Sequence, residues 1–275
     1  MRRTIRATPP ASPATEQTGF NIVIGRVLLA AILAGIAAGL VMGVIQHVRL
    51  TPLIIQAETF EAAEAPAVAA DPSAAAANMP AGQTHDHGAT PGTAPAGAEH
   101  HHDPEAWAPQ DGLERTFYTT LTAMLAGAGF ALLLVGVSFG AGIPITRDNG
   151  LIWGLCGFIA VSLAPAFSLP PELPGTAAAS LPARQAWWLA TIAATAIAIW
   201  LAATRRSPVM LLAAALLVVL PHAIGAPQVP PVDTPLPAAV QGEFVAASLG
   251  ASFVLWLLIG FFLSITLNPA REKSA

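Results

Sequence analysis

Apolar residues run in long, nearly unbroken stretches along this chain, and polar residues collect between them. A hydrocarbon core of about 30 Å is crossed by roughly 20 apolar residues in helical form. Stretches of that kind fall at 22–45, 117–140, 151–169, 185–204, 207–226 and 244–267. They predict an all-α fold, a polytopic transmembrane helix bundle of about six spans. The third and fifth stretches each contain a proline, Pro165 and Pro221, so five spans is the alternative count. Residues 1–21 and 268–275 become tails, and 46–116 a long loop after the first span. The first stretch is too long for the apolar region of a secretory signal and is expected to remain as a span.

Charge placement tests the count independently, because short cytoplasmic loops collect Lys and Arg. With the N-terminus inside, six spans put Arg2, Arg3, Arg6, Arg26, Arg147, Arg205, Arg206, Arg271 and Lys273 on the inner side. Only Arg49, Arg115 and Arg184 remain outside. The acids run the other way, with Glu16, Asp148 and Glu272 inside and 13 of the 16 outside. Dropping one weak span scrambles this division, so six spans with both termini cytoplasmic are expected. Trp187, Trp188 and Tyr118 then lie at the outer headgroup level, and Trp153 and Trp200 at the inner one. Trp256 falls in mid-membrane, where packing is its expected role.

Small residues add a packing signal. Gly35, Gly39 and Gly43 recur every four residues and place a glycine stripe on one face of the first span, which lets another helix approach closely. Gly136 with Gly140, and Gly150 with Gly154, repeat that spacing on the second and third spans. A compact bundle or a partner helix follows from these stripes, and no chemistry.

Composition agrees with lipid as the solvent. The chain of 275 residues is 54% hydrophobic and 10% charged, against roughly 25% charged in soluble domains, and its mean hydropathy is +0.61. A net charge of -4 argues against nucleic acid, which recruits basic surfaces. The single cysteine, Cys156, excludes a disulfide framework and a paired-cysteine metal site, and is expected to be a buried thiol. No phosphate-binding Gly-x-x-x-x-Gly-Lys-Ser/Thr loop is present, so no nucleotide is expected. Neither a His-Glu-x-x-His pair nor a Gly-x-Ser-x-Gly elbow appears, so the chain is not expected to be an enzyme.

The candidate chemistry lies in the histidines. All seven fall outside the spans or near an outer helix end. Five of them, His85, His87, His100, His101 and His102, occupy an Ala-, Pro- and Gly-rich segment at about 62–112. That segment is too poor in large apolar residues to bury a core and is expected to be a disordered extracytoplasmic loop. Imidazole beside carboxylate, without thiolate, suits divalent first-row metals such as Co²⁺, Ni²⁺ or Zn²⁺. A mobile His-rich loop can collect such ions without enforcing geometry, although histidine tracts also arise in loops by drift. His47 lies about 31 Å above Arg26 along a helix, at the outer boundary, with Glu58 close behind it. His222 lies about 24 Å above Arg206, inside the hydrocarbon region, where polar groups are costly and usually functional.

Two prolines sharpen that region. Pro221 crowds the carbonyl of Leu217 and Pro165 that of Val161, so two kinked helices are expected to open one outward vestibule. Glu172 and Arg184 complete the outer inventory and are expected to pair with each other. The candidate metal ligands at the mouth are therefore His47, Glu58, Glu172 and His222.

Several of these segments resemble one family. Gln46-His47-Val48-Arg49 through Thr51-Pro52 and Glu58, Leu163-Ala164-Pro165, and Leu169-Pro170-Pro171-Glu172-Leu173-Pro174-Gly175 are similar to the CbtA family of cobalt transporter subunits. Arg184-Gln185-Ala186-Trp187-Trp188 and Leu220-Pro221-His222-Ala223-Ile224-Gly225-Ala226-Pro227 resemble it as well. The resemblance implies a membrane protein handling cobalt, in the context of cobalamin synthesis, beside a small single-span CbtB-like subunit. Two readings follow. In one the chain is a permease or permease subunit for a divalent metal; in the other it binds metal or organises a partner without a pore.

Overall fold

The computed structural model describes residues 13–64, 109–174, 176–229 and 236–268. Every regular element among them is helical. In chain order these are α1 (Pro13–Ile45), α2 (Thr51–Glu64), α3 (Leu113–Ala141), α4 (Gly150–Phe158), α5 (Ala164–Ala166), α6 (Leu181–Thr204), α7 (Pro208–Ile224) and α8 (Ala238–Thr266). Four continuous helical stretches are long and apolar enough to cross a membrane: Val23–Phe60, Leu113–Ala141, Leu181–Thr204 and Ala238–Thr266. Gly150–Ala166 and Pro208–Ile224 are shorter apolar helices. These are the two stretches the prolines had marked as weak.

Two prolines are absorbed rather than obeyed as stops. The first helix was expected to end at residue 45, yet it continues through a five-residue π-helical turn, Gln46–Leu50, into α2. Pro52 lacks an N–H and its ring crowds the carbonyl of Val48, four residues back. Widening the preceding turn relieves that clash, and the N–H of Thr51 donates to Gln46 O, five residues back. The Thr51 hydroxyl donates to the same carbonyl at 3.1 Å. Pro165 is handled in the same way. A second π-helical turn, Ile159–Leu163, joins α4 to α5, and the N–H of Ala164 donates to Ile159 O. Such widened turns recur at functional sites, and the first of these carries His47. The 38-residue stretch Val23–Phe60 rises about 57 Å in helical form, nearly twice the hydrocarbon core, so its α2 end projects well past one face.

Packing follows the glycines. Lipid tails are as apolar as leucine, so helices in a bilayer associate through close van der Waals contact rather than through exclusion of water. A Cβ at Gly35 would lie 2.3 Å from the carbonyl oxygen of Gly127, and one at Gly39 would lie 2.4 Å from that of Ala123. At Gly43 it would meet Thr120. The expected stripe is therefore the seam between α1 and an antiparallel α3. Gly150 and Gly154 likewise seat α4 on α8, against Gly260 and Trp256. On α3 Gly136 and Gly140 meet nothing within 4 Å among the described residues, and Gly127 is the residue that α3 contributes to the seam with α1. Four-residue spacing alone does not say which face of a helix is covered.

Trp256 packs as expected from its depth. It is 1% exposed, lies against Phe130 with ring centroids 4.9 Å apart, and donates its indole N–H to Ser162 Oγ at 3.2 Å. Gly157 makes room for its ring. The helices α6 and α7 pack on each other and reach the other helices chiefly through the second π-helical turn and α5. Their outward faces are apolar and open, with Leu189, Leu212, Val219 and Ile224 exposed.

Helix ends sort into two groups. At one end Arg147 Nε donates to Asn268 O and Asn268 reaches Ile145 O, while Trp200 and Ala203 share a cavity with Ile143 and Asn149. Cys156, half-buried, lines that same apolar cavity. The opposite end holds His47, Glu58, Arg115, Glu172, Arg184 and His222.

Candidate functional site

At that second end the antiparallel α1–α3 seam carries the first candidate cluster. His47, on the widened turn, places Nδ1 3.3 Å from the hydroxyl of Thr116. Glu58, farther along on α2, forms an ion pair with Arg115 at 2.5 Å. Arg115 also reaches Asp111 at 2.8 Å. The two sequence candidates therefore dock on consecutive residues of α3. A pocket of about 150 Å³ lies beside His47, lined also by Thr51, Asp111, Arg115, Thr116 and Thr119 but not by Glu58. The continuation of the helix past residue 50 is what carries Glu58 to this place. Neither Arg115 nor Asp111 was singled out as a partner, and the available signal was an isolated arginine on the acid-rich side.

The second cluster forms where the chain leaves α5. Glu172 and Arg184 pair at 2.5 Å, as expected from sequence. Both side chains are about a quarter exposed, so the pair adds on the order of 1 kcal/mol at most once solvent screening is allowed for. It borders a pocket of about 350 Å³ shared with Ser162, Gln185 and Ser252. Arg184 Nε is buried there without a hydrogen-bond partner among the described residues.

His222 lies at the end of α7, one residue past Pro221. Its Nδ1 is 2.8 Å from Ser168 Oγ, and the rings of Phe167 and Trp187 meet it edge-on at 5.4 and 5.8 Å. Trp187 donates its indole N–H to Pro221 O at 3.2 Å, a carbonyl that also accepts from the N–H of Gly225. The helix stops there because Gly225 takes φ 90°, a conformation that favours glycine. Trp187→Phe removes one of the two donors and leaves the carbonyl satisfied. It is expected to lower stability by about 1 kcal/mol, or a few degrees of melting temperature in detergent.

His222 and the α5 region, Leu163, Ala164, Ala166 and Phe167, flank one cavity of about 920 Å³. Its lining is almost wholly apolar, and Glu172 belongs to the neighbouring pocket instead. His47, Glu58, Glu172 and His222 thus occupy three separate pockets or pairs at one end of the molecule. Among the described residues no group of three or more His, Cys, Asp or Glu side chains is placed to hold a metal ion. His85, His87, His100, His101 and His102 lie outside the described residues.

The class that these features define is a polytopic, all-helical membrane protein with its polar candidates gathered at one end. A family model described as "Probable cobalt transporter subunit (CbtA)" matches residues 24–268, and the chain belongs to the CbtA family. The family's description is that of a transporter subunit. No curated protein and no solved structure matches the chain.

Proposed function

We propose that the chain is a transporter subunit for uptake of a divalent transition metal, cobalt above all, which meets the ion on the extracytoplasmic face. The observation that carries this reading is the convergence of His47 and Glu58 on Arg115 and Thr116, in a chain of a cobalt transporter family. Six spans with cytoplasmic termini give that end of the molecule its outward orientation. The two shorter helices then count as spans, since 17 residues rise about 25 Å, within the lower range for crossing a bilayer. In this arrangement Glu58 and Glu172 rest on arginines until a metal cation competes for them, while His47 and His222 supply nitrogen ligands. The histidines of residues 85–102 collect metal ahead of the mouth, and a small CbtB-like subunit completes the transporter.

One observation favours a second reading, a membrane metal-binding or scaffold subunit without its own pore: the four mouth candidates are not gathered around one point. The readings separate on deletion of residues 82–104. In a permease the deletion is expected to weaken cobalt uptake severalfold at limiting metal and to leave it unchanged at saturating metal. In a binder it abolishes metal retention by the purified protein. The direct experiment is cobalt accumulation by cells that express the chain with its partner.

A further inference from the structure

We infer that His47 and Asp111 form the landing site where the divalent cation first meets the protein, and that Arg115 is the counter-ion it displaces there. The inference rests on the reading of this end as the capture face and adds to it a carboxylate which that reading does not use. The cavity of about 150 Å³ beside His47 is lined by Thr51, Thr116 and Thr119, and Asp111 is the one carboxylate among its described lining residues. Water takes about 30 Å³ per molecule in the liquid, so a cation fits there with part of its hydration shell.

The imidazole is already oriented for ligation. A hydroxyl carries one proton, and that of Thr116 donates to Gly112 O at 2.9 Å. The 3.3 Å contact with His47 is therefore made by an Nδ1–H donor, and Nε2 is the nitrogen left to bind metal. A hydrogen bond on the far nitrogen commonly holds a ligating histidine in its tautomer.

The charges are arranged to release Asp111. Glu58 holds Arg115 through both terminal guanidinium nitrogens, at 2.5 and 3.4 Å. Asp111 meets one of them, at 2.8 Å, and its side chain is 82% exposed against 39% for Glu58. Two-point pairing is the stronger, and a single exposed ion pair contributes little. Two carboxylates share one guanidinium, so one negative charge is left over. A divalent ion attracts Asp111 with twice the charge of Arg115, while Glu58 keeps Arg115 from following. Imidazole with carboxylate suits Co²⁺, Ni²⁺ or Zn²⁺. No third His, Cys, Asp or Glu joins them among the described residues, so water completes the shell. An ion held by two residues can also leave, as passage requires.

The test uses the purified full chain with Cys156→Ala, which removes its one native thiol. Asp111→Cys then places a thiol in the landing site, and thiolate is a metal ligand. Bound to Co²⁺ it gives an ultraviolet sulfur-to-cobalt charge-transfer band that no histidine can give. The band is expected from Asp111→Cys, and not from Glu114→Cys, three residues along and outside the cavity. Adding His47→Ala is expected to raise the Co²⁺ concentration that half-develops the band by about tenfold or more. Adding Arg115→Gln is expected to lower it severalfold, since the competing cation is gone. No band from Asp111→Cys, an equal band from Glu114→Cys, or a band indifferent to His47→Ala would overturn the site. A higher Co²⁺ requirement with Arg115→Gln would overturn the displacement. The expected bands in a chain that supports no cobalt accumulation would uphold the site and contradict only the uptake reading.

Discussion

Replacing Gly39 by leucine is expected to leave little folded protein in mild detergent, whereas Gly136→Leu should be accepted. At Gly39 a Cβ would lie 2.4 Å from Ala123 O and 2.5 Å from Met124 Cα, both backbone atoms that no rotamer change can move aside. The two helices would have to part, and with them the neighbouring contacts of Gly35 with Gly127 and Gly43 with Thr120. Overpacking commonly costs about 1–3 kcal/mol where side chains can shift. Here the obstacle is backbone and the seam is shared, so the loss belongs at or above the upper figure. Parting the helices loses the three seam contacts together, and their combined loss approaches the lower end of a total stability of about 5–15 kcal/mol, which removes most of the monodisperse species in size-exclusion chromatography. Gly136 sits on the same α3 with nothing within 4 Å, so it reports any general intolerance of bulk. A Gly39→Leu protein melting within a few degrees of the parent would mean that α1 and α3 do not cross as described.

The second large effect concerns the mouth. His47→Ala combined with Glu58→Gln is expected to lower cobalt uptake at limiting metal at least tenfold, with the amount of membrane protein unchanged. Loss of groups that only orient metal ligands already costs 10–100-fold in many sites, so loss of two proposed ligands sets ten as a floor. Stability should barely move, because the Glu58–Arg115 pair is partly exposed and Arg115 keeps Asp111. His222→Ala is expected to have the smaller effect, because no carboxylate lines the cavity beside it. If His222→Ala abolished uptake and the double variant did not, capture would belong to the α7 end and the proposed assignment would be wrong.

The fold was legible where a single physical rule decides. Apolar length located every long helix except α2, because lipid leaves the backbone no alternative partner. Trp256, Arg184 with Glu172, and the Gly35-Gly39-Gly43 stripe behave as their depth or spacing indicates. Sequence misled where a local signal has two outcomes. The polar junction after residue 45 could end the first helix or carry it on, and a π-helical turn lets it continue past Pro52. Gly136 and Gly140 have the spacing of a seam, but the face they share is open, and Gly127 lies on the covered one. The mouth was legible as a set of residues and not as an arrangement. Which cation answers Glu58 depends on how far α2 runs past the π-helical turn, and that is a tertiary outcome.

The central claim, that this subunit takes part in cobalt uptake from the outer face, is tested most directly by cobalt accumulation. Cells lacking their own high-affinity cobalt uptake would express the chain alone, the small CbtB-like subunit alone, and both together, at limiting Co²⁺. The account predicts accumulation well above background with both present, reduced at least tenfold by the His47 and Glu58 substitutions. Background accumulation with both subunits present in the membrane would contradict it.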